Sequence, residues 1–365
     1  MQAVLNRFIQ TIRDASDQKR PLRFRGGGTK DFLGQALIGE VFDTREYAGV
    51  VDYDPAELVI TARCGTSLAE VEAVLAERHQ SLPFEPPHFS SVDSDRRATI
   101  GGAFAAGLSG PRRESVGALR DFVLGAQLIN GRGAVLNFGG RVMKNVAGYD
   151  VSRLLAGSLG TLGLITEVSI KVLPIPMEEA TVQLEMEQPE AIAFFNRFSG
   201  QPYPICSSVW VDGRVLIRLA GARAAVRATQ EKLGGTAVPI SVAHGYWKSL
   251  REQTHPFFRR DSSAPLWRIA VPSITPPLRL QGTQLVEWGG GQRWWIAPDC
   301  TQRTSERVRD LAQQAGGHAT LFRNGEKTVG VFTELSPAAR AIHKRLKATF
   351  DPAGIFCPER MYTDV

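Results

Sequence analysis

The sequence predicts an α+β protein built in two unequal parts, and three observations carry that expectation. Its 365 residues exceed the roughly 150 of a typical single domain. Up to Pro174, short apolar runs bounded by glycine or proline alternate with helical spacing, whereas from Ala180 two rounds of strand, helix and strand follow one another. Glycine divides the same way: 21 of the 36 glycines fall in residues 1–174, so tight turns and close backbone approaches concentrate in the first part.

Helical spacing of Val4, Leu5, Phe8, Ile9 and Ile12 opens the chain. A strand from Leu22 to Arg25 runs into Gly26, Gly27, Gly28 and Thr29, and a second from Glu57 to Arg63 leads through Gly65 to a helix at Leu68–His79. Ser67 and Glu70 stand where a capping box would open that helix. After Pro83, Pro86 and Pro87, the small residues of Ala98–Leu108 suit a helix packed closely against backbone. Phe122–Ile129 and Ala134–Phe138 flank Asn130-Gly-Arg-Gly133, a hairpin signal. A short helix at Val151–Ala156 and a strand at Leu164–Leu173 complete this part.

In the second part the spacing predicts strands at Thr181–Met186, Val209–Val211 and Arg214–Leu219, with helices at Pro189–Phe198 and Ala222–Leu233. The second round has strands at Gln284–Trp288, Arg293–Ala297 and Ala319–Phe322 and a helix at Ser305–Ala315. Together they predict an antiparallel sheet with helices on one face. A last helix, Pro337–Phe350, stops at Asp351-Pro-Ala-Gly354.

Composition narrows the function classes. No apolar run approaches the roughly 20 residues that cross a bilayer, so a cytoplasmic chain is expected, with peripheral attachment at the inner membrane face left open. The formal charge of +6 is spread along the chain without a basic block, which argues against nucleic acid. Cys64, Cys206, Cys300 and Cys357 lie far apart with no CxxC pair, which argues against a metal centre or a disulfide framework.

Three glycine clusters carry the chemistry. Arg25-Gly-Gly-Gly-Thr29 follows a strand, where bare amides in a turn can cradle an anion; an ordinary glycine-rich turn is the alternative. Ala98-Thr-Ile-Gly-Gly-Ala103, followed by Ser109-Gly-Pro-Arg-Arg113, places two glycines at a helix start, for anion approach or for close packing. Gly157-Ser-Leu-Gly-Thr-Leu-Gly-Leu-Ile-Thr166 feeds an apolar strand, as a simple turn would. The chain has no Walker loop, and Gly157, Gly160 and Gly163 have the wrong spacing for a dinucleotide fingerprint.

In this order the three clusters resemble the FAD-binding domain of flavoproteins related to vanillyl-alcohol oxidase and D-lactate dehydrogenase, the PCMH-type fold. Lys144-Asn-Val-Ala-Gly-Tyr-Asp150 and Phe350-Asp-Pro-Ala-Gly-Ile-Phe356 narrow the resemblance to the E-subunit family of bacterial glycolate oxidases. The resemblance implies a two-part FAD-binding domain at 1–174, a smaller α+β cap with a reduced substrate role at 175–333, and a segment 334–365 returning to the first domain. It implies that Arg25, Gly26, Gly27, Gly28 and Thr29 line the FAD pyrophosphate, that Thr99, Gly101, Gly102, Ser109 and Gly110 line the ribityl and flavin path, and that the backbone of Ile165 meets the adenine. Thr29 stands where some relatives carry a flavin-linking histidine, so FAD is expected to be held non-covalently.

Two departures qualify the resemblance. Cys357-Pro-Glu359 replaces the family's Asn-Pro-Gly near the flavin, and the paired-histidine metal motif of the catalytic relatives has no counterpart among the six single histidines. For the substrate side the sequence nominates only Arg112, Arg113, Tyr246, Trp247, Arg251 and His255, each better explained as structural or interfacial than as catalytic, and assigns no catalytic residue. The resemblance therefore implies an FAD-dependent subunit of a complex that oxidises glycolate to glyoxylate, beside a longer FAD-containing catalytic subunit and an iron-sulfur subunit. The alternatives are a non-catalytic assembly subunit that keeps the fold, and a stand-alone oxidoreductase acting on another 2-hydroxy acid or alcohol.

Overall fold

The computed structural model describes residues 1–90, 97–140 and 150–364. The first helix, Gln2–Asp17, sets Phe8, Ile12 and Ala15 on one stripe and buries them against a parallel strand pair, Leu22–Arg25 and Glu40–Asp43. A five-stranded antiparallel sheet follows, in the order Val50–Asp54, Val59–Arg63, Leu164–Lys171, Val123–Ile129, Val135–Gly139. Helices Leu68–Ala76 and Ile100–Ala106 pack their apolar residues on it in one core with Leu128, Val168 and Ile170.

Local chemistry explains these elements. The Ser67 hydroxyl accepts from the Glu70 N–H at 3.1 Å and caps its helix, a contribution of about 1 kcal/mol. In the hairpin, Ile129 faces Val135, and the Asn130 side-chain oxygen accepts from the N–H groups of Arg132 and Ala134, both at 3.0 Å. Besides the two-residue strand Gln80–Ser81, sequence patterning in the first part misses Glu40–Asp43 and Val50–Asp54. Both are edge strands with little buried surface, and their acidic residues hide the apolar alternation.

The second part holds one continuous antiparallel sheet of eight strands, in the order Thr236–Val238, Glu178–Glu185, Arg214–Gly221, Ile205–Val211, Thr283–Glu287, Gln292–Ile296, Leu266–Ala270, His318–Arg323. Leu266–Ala270 escapes the sequence pattern because Trp267 and Ile269 bury one face while Leu266 joins the core on the other.

The expectation of helices on one face is corrected. Gln188–Ser199, Arg223–Leu233 and Gln302–Gln314 cover one face, but Ile240–Arg251 covers part of the other, where Ala243, Trp247 and Leu250 meet Val209, Leu216 and Leu285. Leu33 and Leu108 of the first part join that second core, so this face is turned towards the glycine-rich half rather than towards water. Both faces must then carry apolar residues, which a one-face pattern cannot describe.

Helix Pro337–Phe350 ends at Asp351, whose buried carboxylate accepts from the N–H groups of Ile355 and Phe356 and pairs with Lys347 at 2.8 Å. The tail runs beside the first strand. Leu22 N–H donates to Ile355 O at 2.7 Å, and Cys357 N–H donates to Leu22 O at 2.8 Å.

Candidate functional site

The strand Leu22–Arg25 delivers the chain into the loop Gly26–Asp31, and close contacts fix its shape. A Cβ on Gly26 or Gly27 would collide with Thr99 Oγ1 or with the Arg97 carbonyl, and Gly28 has φ +68°, the left-handed region. So folded, the backbone N–H groups of Gly27, Gly28, Thr29 and Lys30 donate to no acceptor among the described residues. Four free amides in succession form an anion cradle.

Two cations border this cradle, Arg25, which the sequence nominates, and Lys30. The Arg25 guanidinium pairs with Asp31 at 2.9 Å and braces the loop from within. Lys30, passed over in the sequence, lines the same cleft with its ammonium 3.3 Å from Thr29 Oγ1 and 3.4 Å from the His88 carbonyl. Burial pushes its pKa down to about 8, with Glu252 acting in the opposite direction. An anion beside it would raise that pKa again. Only the sequence position of Lys30, directly after the glycine run, could have pointed to it.

Thr99 and Gly102 line this cleft too, but the helix start offers it no free backbone N–H. Ile100 N–H goes to Thr66 O, Gly101 N–H to Cys64 O, and Gly102 N–H to the capping Thr99 hydroxyl. Gly101 is buried, and a Cβ there would lie 2.6 Å from Cys64 Cβ, so it serves packing. The third glycine cluster docks on the end of the same helix through Gly157 N–H to Phe104 O and Leu159 N–H to Ala105 O, and Leu159 reaches the cleft. Ile165 stays apart: it pairs with Leu128 inside the five-stranded sheet and its side chain lies in the main core. Cys357 and Arg360 close the cleft from the tail, with Arg360 donating to the carbonyls of Asp31 and Gln35 and so holding the loop. Of Lys144–Asp150, residues 144–149 lie outside the described residues.

Ser109 and Gly110 belong to a second cavity, formed where the cap sheet meets the first part. Ser109 Oγ accepts from Leu119 N–H, and the Gly110 carbonyl accepts from Trp288 Nε1 at 3.2 Å, a direct link between the halves. The roof is sheet: Glu287, Gln292, Trp294 and Arg268 share one face by register. Glu252, at the end of the Ile240–Arg251 helix, accepts from the N–H groups of His88 and Phe89 and pins the loop beside the cavity.

The nominated substrate residues disperse. Arg112 lies 3.8 Å from Glu179, and Arg113 stacks on Trp288 at 4.3 Å, so both join the halves. Trp247 is buried and donates to Thr181 Oγ1, and His255 caps a short helix by accepting from Phe257 N–H. Tyr246 is half-buried, and its buried hydroxyl is unpaired among the described residues. Arg251 alone reaches the second cavity, its Nε donating to Glu252.

A family model described as "FAD binding domain" matches residues 6–139, the span that holds the amide cradle. The amides of Gly27–Lys30 and the buried ammonium fit a pyrophosphate. The chain is 44% identical over 366 residues to "Glycolate oxidase subunit GlcE" of Escherichia coli (strain K12), covering 100% of this chain and 98% of that protein. It is 32% identical over 180 residues to "Glycolate oxidase subunit GlcD" of Bacillus subtilis (strain 168), which is 49% of this chain and 37% of that one. "D-lactate dehydrogenase" of Archaeoglobus fulgidus matches similarly, 32% over 173 residues, with 47% and 37% covered. A solved alkyldihydroxyacetonephosphate synthase superposes with a TM-score of 0.64 at 16% identity, over 96% of this chain and 73% of that one, a likeness of fold. The amide cradle, the two-part FAD-binding fold and the end-to-end alignment lead to one conclusion: the chain is an FAD-dependent oxidoreductase subunit and belongs to the family of glycolate oxidase subunit GlcE.

Proposed function

We propose that the chain is the FAD-binding subunit of a complex that oxidises glycolate to glyoxylate, acting beside a longer FAD-containing subunit and an iron-sulfur subunit. The observation that carries this reading is the free-amide cradle at Gly27–Lys30, set in a chain that aligns end to end with a glycolate oxidase subunit. Bound FAD supplies a flavin ring able to accept hydride from the α-carbon of a hydroxy acid. In this reading the cradle and Lys30 hold the pyrophosphate without a covalent link. Thr99 and Gly102 flank the ribityl chain, and Ser109 and Gly110 border the flavin end. The division into an FAD part at 1–174, a cap at 175–333 and a returning tail at 334–365 belongs to the same reading, as does peripheral membrane attachment through the partner subunits.

The purified chain supplied with FAD should retain it through gel filtration and show a two-banded flavin spectrum. Glycolate added anaerobically should bleach the flavin of the assembled complex. Absence of flavin retention would defeat the cofactor assignment. Bleaching of the isolated chain would show an autonomous oxidase instead of a subunit.

A further inference from the structure

We propose that the open groove around Met177 and Ile240 is the surface through which the chain assembles, and that it docks an apolar segment bearing a carboxylate from a partner subunit. The proposal rests on the reading of the chain as a subunit of a complex and names where the partner sits.

Exposed apolar side chains gather at this groove. Ile175 and Met177, on the connection between the halves, are 48% and 83% exposed, and Ile240, at the start of the helix Ile240–Arg251, is 51% exposed. Val242, 58% exposed, stands on the same first turn. Pro174 and Pro176 alternate with Ile175 and Met177, so the connection is stiff where it presents them. A cluster of large apolar side chains held in water beside charged residues is the mark of a contact with another protein. The groove encloses about 810 Å³ and has Leu82 and Trp247 buried in its lining, so a partner can insert side chains and meet packed apolar surface.

Charge says what the inserted segment carries. The four carboxylates that line the groove are already engaged. Glu85 and Glu179 share Arg218 at 2.7 and 2.9 Å, Glu178 pairs with Arg223 at 3.3 Å, and Glu72 lies 3.1 Å from His88 Nε2 and 3.9 Å from Arg251. Lys248 is different: it is exposed, and its ammonium has no partner among the described residues. Ile240, His244 and Lys248 follow one another at steps of four, so they share one helix face, with about 12 Å between the first and the last. A segment that lays apolar side chains over Met177 and Ile240 and a carboxylate beside Lys248 matches this stripe. The exposed ion pair fixes register, and the apolar contact holds the segment. A second copy of the same groove is a poor complement, because its carboxylates are spoken for and it brings another free lysine.

The test uses the full chain co-expressed with its partner subunits and purified through a tag on the longer one. Met177→Asp combined with Ile240→Asp should weaken assembly about thirtyfold. Lys248→Glu should weaken it about threefold to tenfold, with the loss shrinking at high salt. Ile274→Asp, on a residue 74% exposed outside the groove, should assemble as wild type. FAD retention and melting temperature should be unchanged in all three. If the double variant melts early, Lys248→Glu and cross-linking decide. A photo-cross-linking side chain at position 177 should couple to a segment of a partner subunit that contains aspartate or glutamate. Groove variants that assemble like wild type, or no better than Ile274→Asp, overturn the proposal and leave the earlier reading standing. So does a cross-link only to a second copy of this chain. A wild-type chain that retains FAD but joins no partner subunit defeats the reading as a subunit, and this proposal with it.

Discussion

The cleft at Gly26–Asp31 and the cavity beneath the cap sheet are built by opposite means. The first is made of backbone: consecutive amides, shaped by glycines that let Arg97 and Thr99 approach, with side chains mostly bracing the loop. The second is made of side chains brought together from Ser109, Gln253, Arg268, Glu287 and Gln292, more than 180 residues apart at the extremes. A backbone site needs a local turn and leaves a glycine signature. A side-chain site needs only register across a sheet, and each contributing residue looks ordinary in its own stretch.

The contrast can be broken first at the contact between the halves. Arg218 reaches from the cap sheet to Glu85 of the first part at 2.7 Å and also holds Glu179 at 2.9 Å. Arg218→Ala leaves the half-buried carboxylates of Glu85 and Glu179 facing each other with only the more distant Arg112, 3.8 Å from Glu179, and His244, 3.7 Å from it, nearby. The network borders an open groove, so the expected loss is about 2–4 kcal/mol rather than the full cost of a deeply buried pair. A fall in the denaturant midpoint with FAD affinity within a few-fold of wild type is expected. A large loss of FAD affinity would mean that the cradle depends on the cap, against the separation drawn here.

The next cut falls on the cradle. Gly27→Ala forces a methyl group against the Arg97 carbonyl, which is backbone and cannot swing aside. The loop must shift, at about 1–3 kcal/mol of stability, and its amides lose their common aim. FAD affinity should fall at least a hundredfold in an equilibrium titration.

The same difference explains what the sequence could disclose. The Ser67 cap and the Asn130 hairpin act through neighbours in the chain, and the run Gly26–Gly28 marks its own turn although Thr99 and Arg97 are what press on it, so each was legible. The α+β class and the PCMH-type FAD fold were legible through the three glycine clusters, although Ile165 and Gly101 serve packing in the structure, away from open space. Lys30 was hidden because its burial comes from Phe89 and His88, some 58 residues on. Arg268 was hidden because its strand is covered on both faces and shows no alternation. Arg112 and Arg113 sat beside the right segment, but sequence cannot tell a cation facing a ligand from one facing another sheet.

The smallest expected effect lies in the pH dependence of the seam. Glu114 accepts from both the N–H and the hydroxyl of Ser208 at 2.7 Å, across the junction of the two parts. Burial pushes its carboxyl up from an ordinary 4.5 to about 7, against the pull of those Ser208 bonds. Between pH 4.5 and 7 the folded chain therefore keeps a proton that the unfolded chain has released, so stability from this group is full below pH 4.5 and drains away as pH rises through 7. The residue as a whole is only half-buried, so the drain is on the order of 1–2 kcal/mol, less than the full shift would give. Glu114→Gln can still accept from Ser208 but carries no titrating group. Its melting temperature should exceed that of wild type at pH 8 and match it near pH 5. Among the described residues the cleft has no carboxylate raised by burial in this way, so FAD affinity of the variant should follow wild type across the same range. A Glu114→Gln chain whose stability falls between pH 5 and 8 as steeply as wild type would place the seam's titration elsewhere.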